Sequence, residues 1–155
     1  LGQMGAASYL EERIAYRLSE TELGYYDDRR WTEPPAEFLR RALGRELFEQ
    51  RRLSRVASGA APTLDVELVG FEELRYGASR ARVTLRLSLV DERRVLLQRV
   101  ITVEQAIPDG DEKEAPVRVA VAMSKALSRA VTNVADDVVA LLTARASAAE
   151  HPPLP

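Results

Sequence analysis

Cysteine is absent from this 155-residue chain, which has a single histidine and a single tryptophan. Of its 22 basic residues only Lys113 and Lys125 are lysine. The missing cysteine excludes disulfides, thiolate metal sites and a cysteine nucleophile. It leaves the compartment open, because a disulfide-free fold is allowed anywhere. The one histidine, His151, has no second His and no Cys to work with. Neither a catalytic triad nor a zinc site with its usual ligands can be built around it. No run approaches the ~20 apolar residues that a membrane-spanning helix needs. The net charge of −2 gives no bulk attraction to nucleic acid or acidic lipid. No glycine-rich phosphate loop and no nucleophile elbow occurs. The preference for arginine over lysine reads as a coding bias before any functional meaning.

The hydrophobic and charged fractions are ordinary for a globular protein. The length suits one domain that buries roughly 70% of its unfolded surface. The chain starts at Leu1 instead of Met, from which a processed product with its targeting segment removed is expected.

Residues 1–12 carry little pattern and read as a loose lead-in. Residues 13–19 alternate, with Ile14, Tyr16 and Leu18 on one side, as a short strand does. Residues 20–33 read as a connection that holds the aromatics Tyr25, Tyr26 and Trp31. Pro34 and Pro35 then fix a helix start, where the missing N–H of proline is harmless. This first helix is expected over 35–50, with Phe38, Leu39, Ala42, Leu43 and Leu47 as its apolar stripe. Gly44 inside it costs up to ~1 kcal/mol in helix propensity, so a close neighbour is expected there.

A further short strand is read at 53–57 and is broken by 58–62. Three long strands follow. In 63–74, Leu64, Val66 and Leu68 face one way and Asp65 and Glu67 the other. In 80–90, Val83, Leu85, Leu87 and Leu89 alternate with Arg82, Thr84, Arg86 and Ser88. In 94–107, Leu97, Ile101 and Val103 share a face with Arg99 as an intruder, for which a bulge that resets the alternation is one account. After a polar loop at 108–114, Pro116 opens a long helix to about 146. Val119, Met123, Leu127, Val131, Val134, Val138 and Leu142 step along it by three or four residues. Alanines between them keep it slim enough to lie flat on a sheet. Residues 147–155 read as a disordered tail.

An antiparallel meander with one apolar face needs a cover, and two amphipathic helices are available. The predicted fold is therefore α+β. It is a two-layer α/β sandwich: a largely antiparallel sheet of three long strands plus one or two short ones, with two helices on one face. The domain spans 13–146. The helices are expected to fill the apolar face and leave little volume between the layers. The polar face with Arg82, Thr84 and Arg86 is the expected partner-facing surface, together with any free strand edge.

Other candidate sites are weaker. Asp109, Gly110 and Asp111 open like a calcium loop, but the ligand pattern stops at Ala115 and Pro116, so a solvated turn is expected. Asp136 and Asp137 are successive helix residues about 100° apart and cannot act as paired carboxylates on one atom. Arg40, Arg41, Arg45, Arg51, Arg52 and Arg55 read either as a phosphate or lipid-headgroup surface or as a solvated face. The interspersed Glu37, Glu46 and Glu49 favour the latter. Tyr25, Tyr26 and Trp31 read as a structural aromatic cluster at the start of the helix more than as a ligand platform. No catalytic residue, cofactor or metal site is assigned.

The segments RIAYRLS and TELGYYDDRRWTEPPAEFLRRAL, then the meander LDVELVGFEEL, ARVTLRLSLVD and VLLQRVITVEQAIP, and last the helix VRVAVAMSKALSRAVTNVADDVVALL, run from about residue 13 to 142. Together they resemble the ABC-type transport auxiliary lipoprotein family. The Tyr…Arg-Trp…Pro-Pro stretch is the most specific part. The resemblance implies a non-enzymatic periplasmic lipoprotein of Gram-negative bacteria, anchored to the outer membrane by an N-terminal lipid. It implies an MCE-domain protein and an ABC permease and ATPase as partners, and lipid as the cargo moved between the membranes. Self-association through a free sheet edge is a further expectation. Two other classes stay open: a generic envelope scaffold, and a small α+β domain that binds an apolar ligand.

Overall fold

The computed structural model describes residues 1–56, 61–92 and 94–150. Six strands form one mixed, open sheet. They are β1 (Met4–Ala6), β2 (Arg13–Arg17), β3 (Leu23–Arg30), β4 (Thr63–Leu74), β5 (Arg80–Asp91) and β6 (Arg94–Ala106). The spatial order is β3-β2-β4-β5-β6. β1 runs parallel to the first half of β4, from Met4 opposite Val66 to Ala6 opposite Leu68. β2 runs parallel to the end of β4, from Ala15 opposite Glu72 to Arg17 opposite Leu74. One edge of β4 is thus shared by two short strands, with residues 7–12 as the loop between them. β4, β5 and β6 form the antiparallel meander, and two helices complete the α+β fold that the periodicity predicts.

The meander follows its alternation. Val83, Leu85, Leu87 and Leu89 are buried on the helix side, while Arg82, Thr84, Arg86 and Ser88 point the other way. Gly77 takes a positive φ of 71° in the β4–β5 turn, a conformation that glycine adopts without a Cβ penalty. Helix α1 (Pro35–Gly44) begins after Pro34 as the proline pair dictates, and it passes directly into a π-helical turn, Arg45–Gln50. Leu39, Leu43 and Leu47, four residues apart, enter the core from these two segments. Helix α2 (Ala115–Glu150) covers β5 and β6. Val119, Met123, Leu127, Val131, Val134 and Val138 are buried, and so are Ala126 and Ala130, whose small side chains bring the helix close to the sheet.

Several details depart from the sequence reading. Residues 1–12 hold β1 and the buried Leu10 instead of a loose lead-in. The stretch read as a connection at 20–33 is largely β3, hairpin-paired with β2. Period-two patterning is hidden there because Tyr25 and Tyr26 are adjacent and the outer half, Asp27 to Arg30, is exposed on an edge. The strand read at 53–57 is irregular over 53–56, and its last residue lies outside the described ones. α2 continues past 146 to Glu150; the remainder of the expected tail, 151–155, is not among the described residues.

The bulge in β6 comes earlier than Arg99. Val95 opposes Val90 and Leu97 opposes Leu89, which leaves Leu96 as the extra residue. Arg99 therefore keeps its place on the helix side. It is tolerated there because its Nη1 donates to both carboxylate oxygens of Asp137 on α2 at 2.8 Å.

Candidate functional site

The most connected polar group lies on the sheet face away from the helices. Glu72, at 1% exposure, receives hydrogen bonds from four donor atoms on three side chains. Tyr9 Oη donates to Oε2 at 2.6 Å. Arg17 Nε donates to Oε1 at 3.0 Å, and Arg82 reaches the same oxygen through Nη2 at 2.7 Å and Nε at 3.2 Å. Burial would raise the Glu72 carboxyl, but these hydrogen bonds and the Arg17 charge outweigh it and hold the group below its ordinary value. Burial, together with the adjacent Glu72 carboxylate, pushes Tyr9 up to about 12.

The sequence explains how the acid arrives there. Val69 is an extra residue in β4, since Leu68 opposes Leu85 and Gly70 opposes Thr84. The bulge reverses the phase of the strand. Phe71 and not Glu72 continues on the helix side, and Glu72 falls opposite Arg82. Neither Glu72 nor the buried Glu73 stands out in the sequence reading. The available signal is the apolar run Val69, Gly70, Phe71, which breaks the alternation just before an acid pair.

The three residues expected to face a partner have different surroundings. Arg82 is bound to Glu72, so it is part of the fold's ionic network and not a free surface charge. Thr84 sits beside Gly70, where an added Cβ would lie 3.2 Å from it, and shares a 3.2 Å hydroxyl contact with Thr102. Arg86 alone is exposed, paired with Glu67 directly opposite at 2.7 Å.

The aromatics also separate. Tyr25 and Tyr26 alternate across the sheet. Tyr25 Oη donates to the Tyr9 carbonyl at 2.9 Å. Tyr26 Oη donates to Glu73 at 2.9 Å, and its ring meets Tyr16 edge-on at 5.7 Å. The Arg75 guanidinium lies over both rings, 3.8 Å from Tyr16 and 4.6 Å from Tyr26, while it also binds Glu73. Trp31 stands apart. It contacts Phe38 of α1 at 5.9 Å and Phe71 of β4 at 5.0 Å, so it joins helix and sheet. The ring is half-buried. Trp31→Ala is therefore expected to cost less than the ~3–5 kcal/mol of a fully enclosed ring, read as a lowered urea midpoint. An unchanged midpoint would show that the contacts add nothing.

The helices do not fill the whole apolar face. Beside Gly44 and the π-helical turn, a cavity of about 990 Å³ opens between α1, the start of β4, the end of β5 and α2. Its wall includes Leu47, Phe48, Leu64, Leu89, Val138 and Leu142, and Arg40, Arg41, Arg45 and Arg55 border it. The expectation of little volume between the layers is corrected at this end of the sheet. The cause is local: the chain leaves the π-helical turn at Arg52 with a φ of 57° and runs on without regular structure.

The arginines read together from the sequence are not equivalent. Arg51 binds Glu46 at 3.1 Å and Asp136 of α2 at 2.6 Å, tying the π-helical turn to the long helix. Asp136 and Asp137 diverge as their spacing requires, the first to Arg51 and the second to Arg99. In the 108–114 loop, Asp111 accepts from the Lys113 N–H at 2.9 Å. Arg118 donates to the carbonyls of Pro108 and Asp111 at 3.0 and 2.7 Å. That arrangement is an internally satisfied turn. His151 lies outside the described residues.

The fold has solved relatives. A Xanthomonas campestris protein described as DUF330 is 22% identical and superposes with a TM-score of 0.80, over 92% of this chain and 84% of that one. An uncharacterized protein with 18% identity gives 0.71 over 88% of each chain. A hypothetical protein from Chlamydia trachomatis, 10% identical, gives 0.51 over 86% of this chain and 96% of that one. Among curated proteins no sequence match was found. The model of the ABC-type transport auxiliary lipoprotein component matches residues 1–139, which includes the β2–β3 hairpin, the proline-started helix, the meander and most of α2. The chain belongs to the ABC-type transport auxiliary lipoprotein family.

Proposed function

We propose that this chain is a non-enzymatic docking component of an MCE-type lipid transport system, held in the periplasm at the outer membrane by a lipid on its full-length precursor. The family supports an auxiliary role beside an ABC transporter. The observation that carries the docking role is the outer edge of β6. Among the described residues no strand pairs with it, and Val95 and Val100 on that strand are 56% and 57% exposed. A free edge with apolar side chains offers backbone groups and contact area to another strand or chain.

The test is Val95→Lys with Val100→Lys in the full-length lipoprotein. Exposed substitutions of this kind change stability by less than ~0.5 kcal/mol, so the fold is expected to persist. Co-purification of the MCE-domain protein and permease is expected to be lost. Retention of the complete assembly would remove the β6 edge from the docking role. Metabolic labelling of the precursor with a fatty-acid analogue is expected to place the label in the outer membrane. Unlabelled protein in the cytosol would overturn the anchored placement.

A further inference from the structure

We propose that the outer edge of β6 takes up an extended segment of a partner chain as an added strand, with basic side chains turned towards α2 and apolar ones towards the open face of the sheet. The proposal rests on the docking role of that edge and adds what the partner presents to it.

The other unpaired edges of the described sheet are protected. β1 is three residues long. The outer half of β3, Asp27 to Arg30, consists of exposed charged residues. Short length and edge charge are the ordinary protections of an unpaired strand. β6 runs for 13 residues and contains no proline. Its bulge lies at Leu96, so Leu97 to Ala106 keep an unbroken register with β5. The two charged residues of that stretch are bound within the chain, Arg99 to Asp137 at 2.8 Å and Glu104 to Arg80 at 3.2 Å. Neither is left to repel a neighbouring strand.

A cleft of about 520 Å³ opens beside this stretch, with Arg99, Val100, Ile101 and Thr102 of β6 along it. Successive strand residues point to opposite faces. Four in a row border one cleft because it lies along the edge, where an added strand sits ~4.8 Å from its neighbour.

The two sides of the cleft set the chemistry of the partner. On the helix side α2 presents Asn133, Asp136 and Asp137. Asp137 receives Arg99 Nη1 on both oxygens, and Asp136 holds Arg51 through Oδ1, at 2.6 Å. A carboxylate accepts up to about four hydrogen bonds, so both retain room for a donor from the added strand. Two carboxylates against one guanidinium in the cleft favour a cation over an acid. On the open face, Val100 is 57% exposed and Thr102 is exposed, and cross-strand pairs with such β-branched residues stabilise a sheet. Over Leu97 to Ala106 a second copy of β6 offers only Arg99 as a cation, and its own Asp137 holds that one.

The test is an anisotropy titration of the purified chain with a labelled peptide that alternates lysine with valine. Saturable binding at one site is expected, weakening as salt is raised. The glutamate–valine counterpart should bind about tenfold or more weakly. Main-chain pairing uses one edge of a strand, so N-methylation of one alternate set of residues should abolish binding, and of the other set leave it within about twofold. Asn133→Lys puts a cation in the cleft without removing an ion pair of the described residues, and should weaken the lysine peptide about tenfold. Val95→Lys with Val100→Lys should weaken it too, which locates the peptide on β6. No saturable binding, equal binding of the lysine and glutamate peptides, equal sensitivity to the two methylation sets, or indifference to Asn133→Lys would each overturn the proposal. The methylated peptides decide if Asn133→Lys fails to fold. A dimer of the chain that excludes the peptide would assign the edge to a second copy and overturn the proposal as well. The docking reading fails separately: transporter assembly that survives Val95→Lys with Val100→Lys strikes that reading. Assembly lost in that variant, from a parent chain that takes no peptide, strikes only the added strand.

Discussion

Glu72→Ala is expected to destabilise the chain by about 3 kcal/mol, the low end of what breaking a buried ion pair costs. The substitution leaves Arg17 and Arg82 facing each other without their common anion, and it strips the Tyr9 hydroxyl of its acceptor. The two arginine side chains retain 19% and 20% exposure, so water reaches them in part and the cost stays below that of a sealed charge. Glu72→Gln keeps an acceptor oxygen and should lose less. Replacement of all three charged residues by Leu and Met should recover much of the loss, because no stranded charge remains. Urea midpoints measure all three, and a Glu72→Ala midpoint equal to the parent's would show that the network is dispensable.

The pH dependence has a definite sign. The folded carboxyl of Glu72 lies below its unfolded value, so its contribution is complete above the ordinary carboxylate range. It is lost as the pH falls through the lowered folded value. Tyr9 acts at the other end. With its hydroxyl pushed up to about 12, its contribution is complete below the unfolded phenol value and is lost as the pH rises towards about 12. Glu72→Gln should flatten the acid limb. Arg82→Glu should fall with Glu72→Ala in stability, whereas Arg86→Glu, at an exposed cross-strand pair, should stay within ~1 kcal/mol of the parent. A charge reversal at Arg82 therefore disturbs the fold and is unsuited to test partner contact alone.

What the sequence made legible, and what it did not, follows from the range of each signal. The alternation of Val83 to Leu89 and the helical step of Val119 to Val138 are local, so the meander, the covering helix and their facing sides could be read directly. The proline pair placed α1 for the same reason. β1 was not legible because three residues, Met4–Ala6, carry too little pattern and become a strand only by pairing with β4, 62 residues away. β3 was masked by its adjacent tyrosines and charged outer half. The Glu72 network depends on one extra residue, Val69, which moves the acid to the face where Arg17 and Arg82 converge. A phase change of this kind is invisible to a period-two count that stops at Leu68. The cavity was hidden for a different reason: it is made by a backbone departure at Arg52, and no side-chain periodicity records that.

Leu43→Ala is expected to cost more than Leu47→Ala, although the two lie on one stripe and are 0% and 2% exposed. Deleting a buried leucine to alanine costs ~2–5 kcal/mol, depending on how far the site relaxes and how much void remains. Leu43 belongs to the core cluster and does not border the cavity, so its removal opens a closed, dry void that the surrounding leucines and valines cannot collapse into. The upper half of the range is expected. Leu47 already faces the cavity. Shortening it adds to a space already open next to it, so fewer close contacts are forfeited, and about 2 kcal/mol is expected. Both variants should keep the parent's m-value, because neither changes the surface exposed on unfolding. Equal costs at the two positions, measured by urea titration, would mean that the space beside Leu47 is closed in solution.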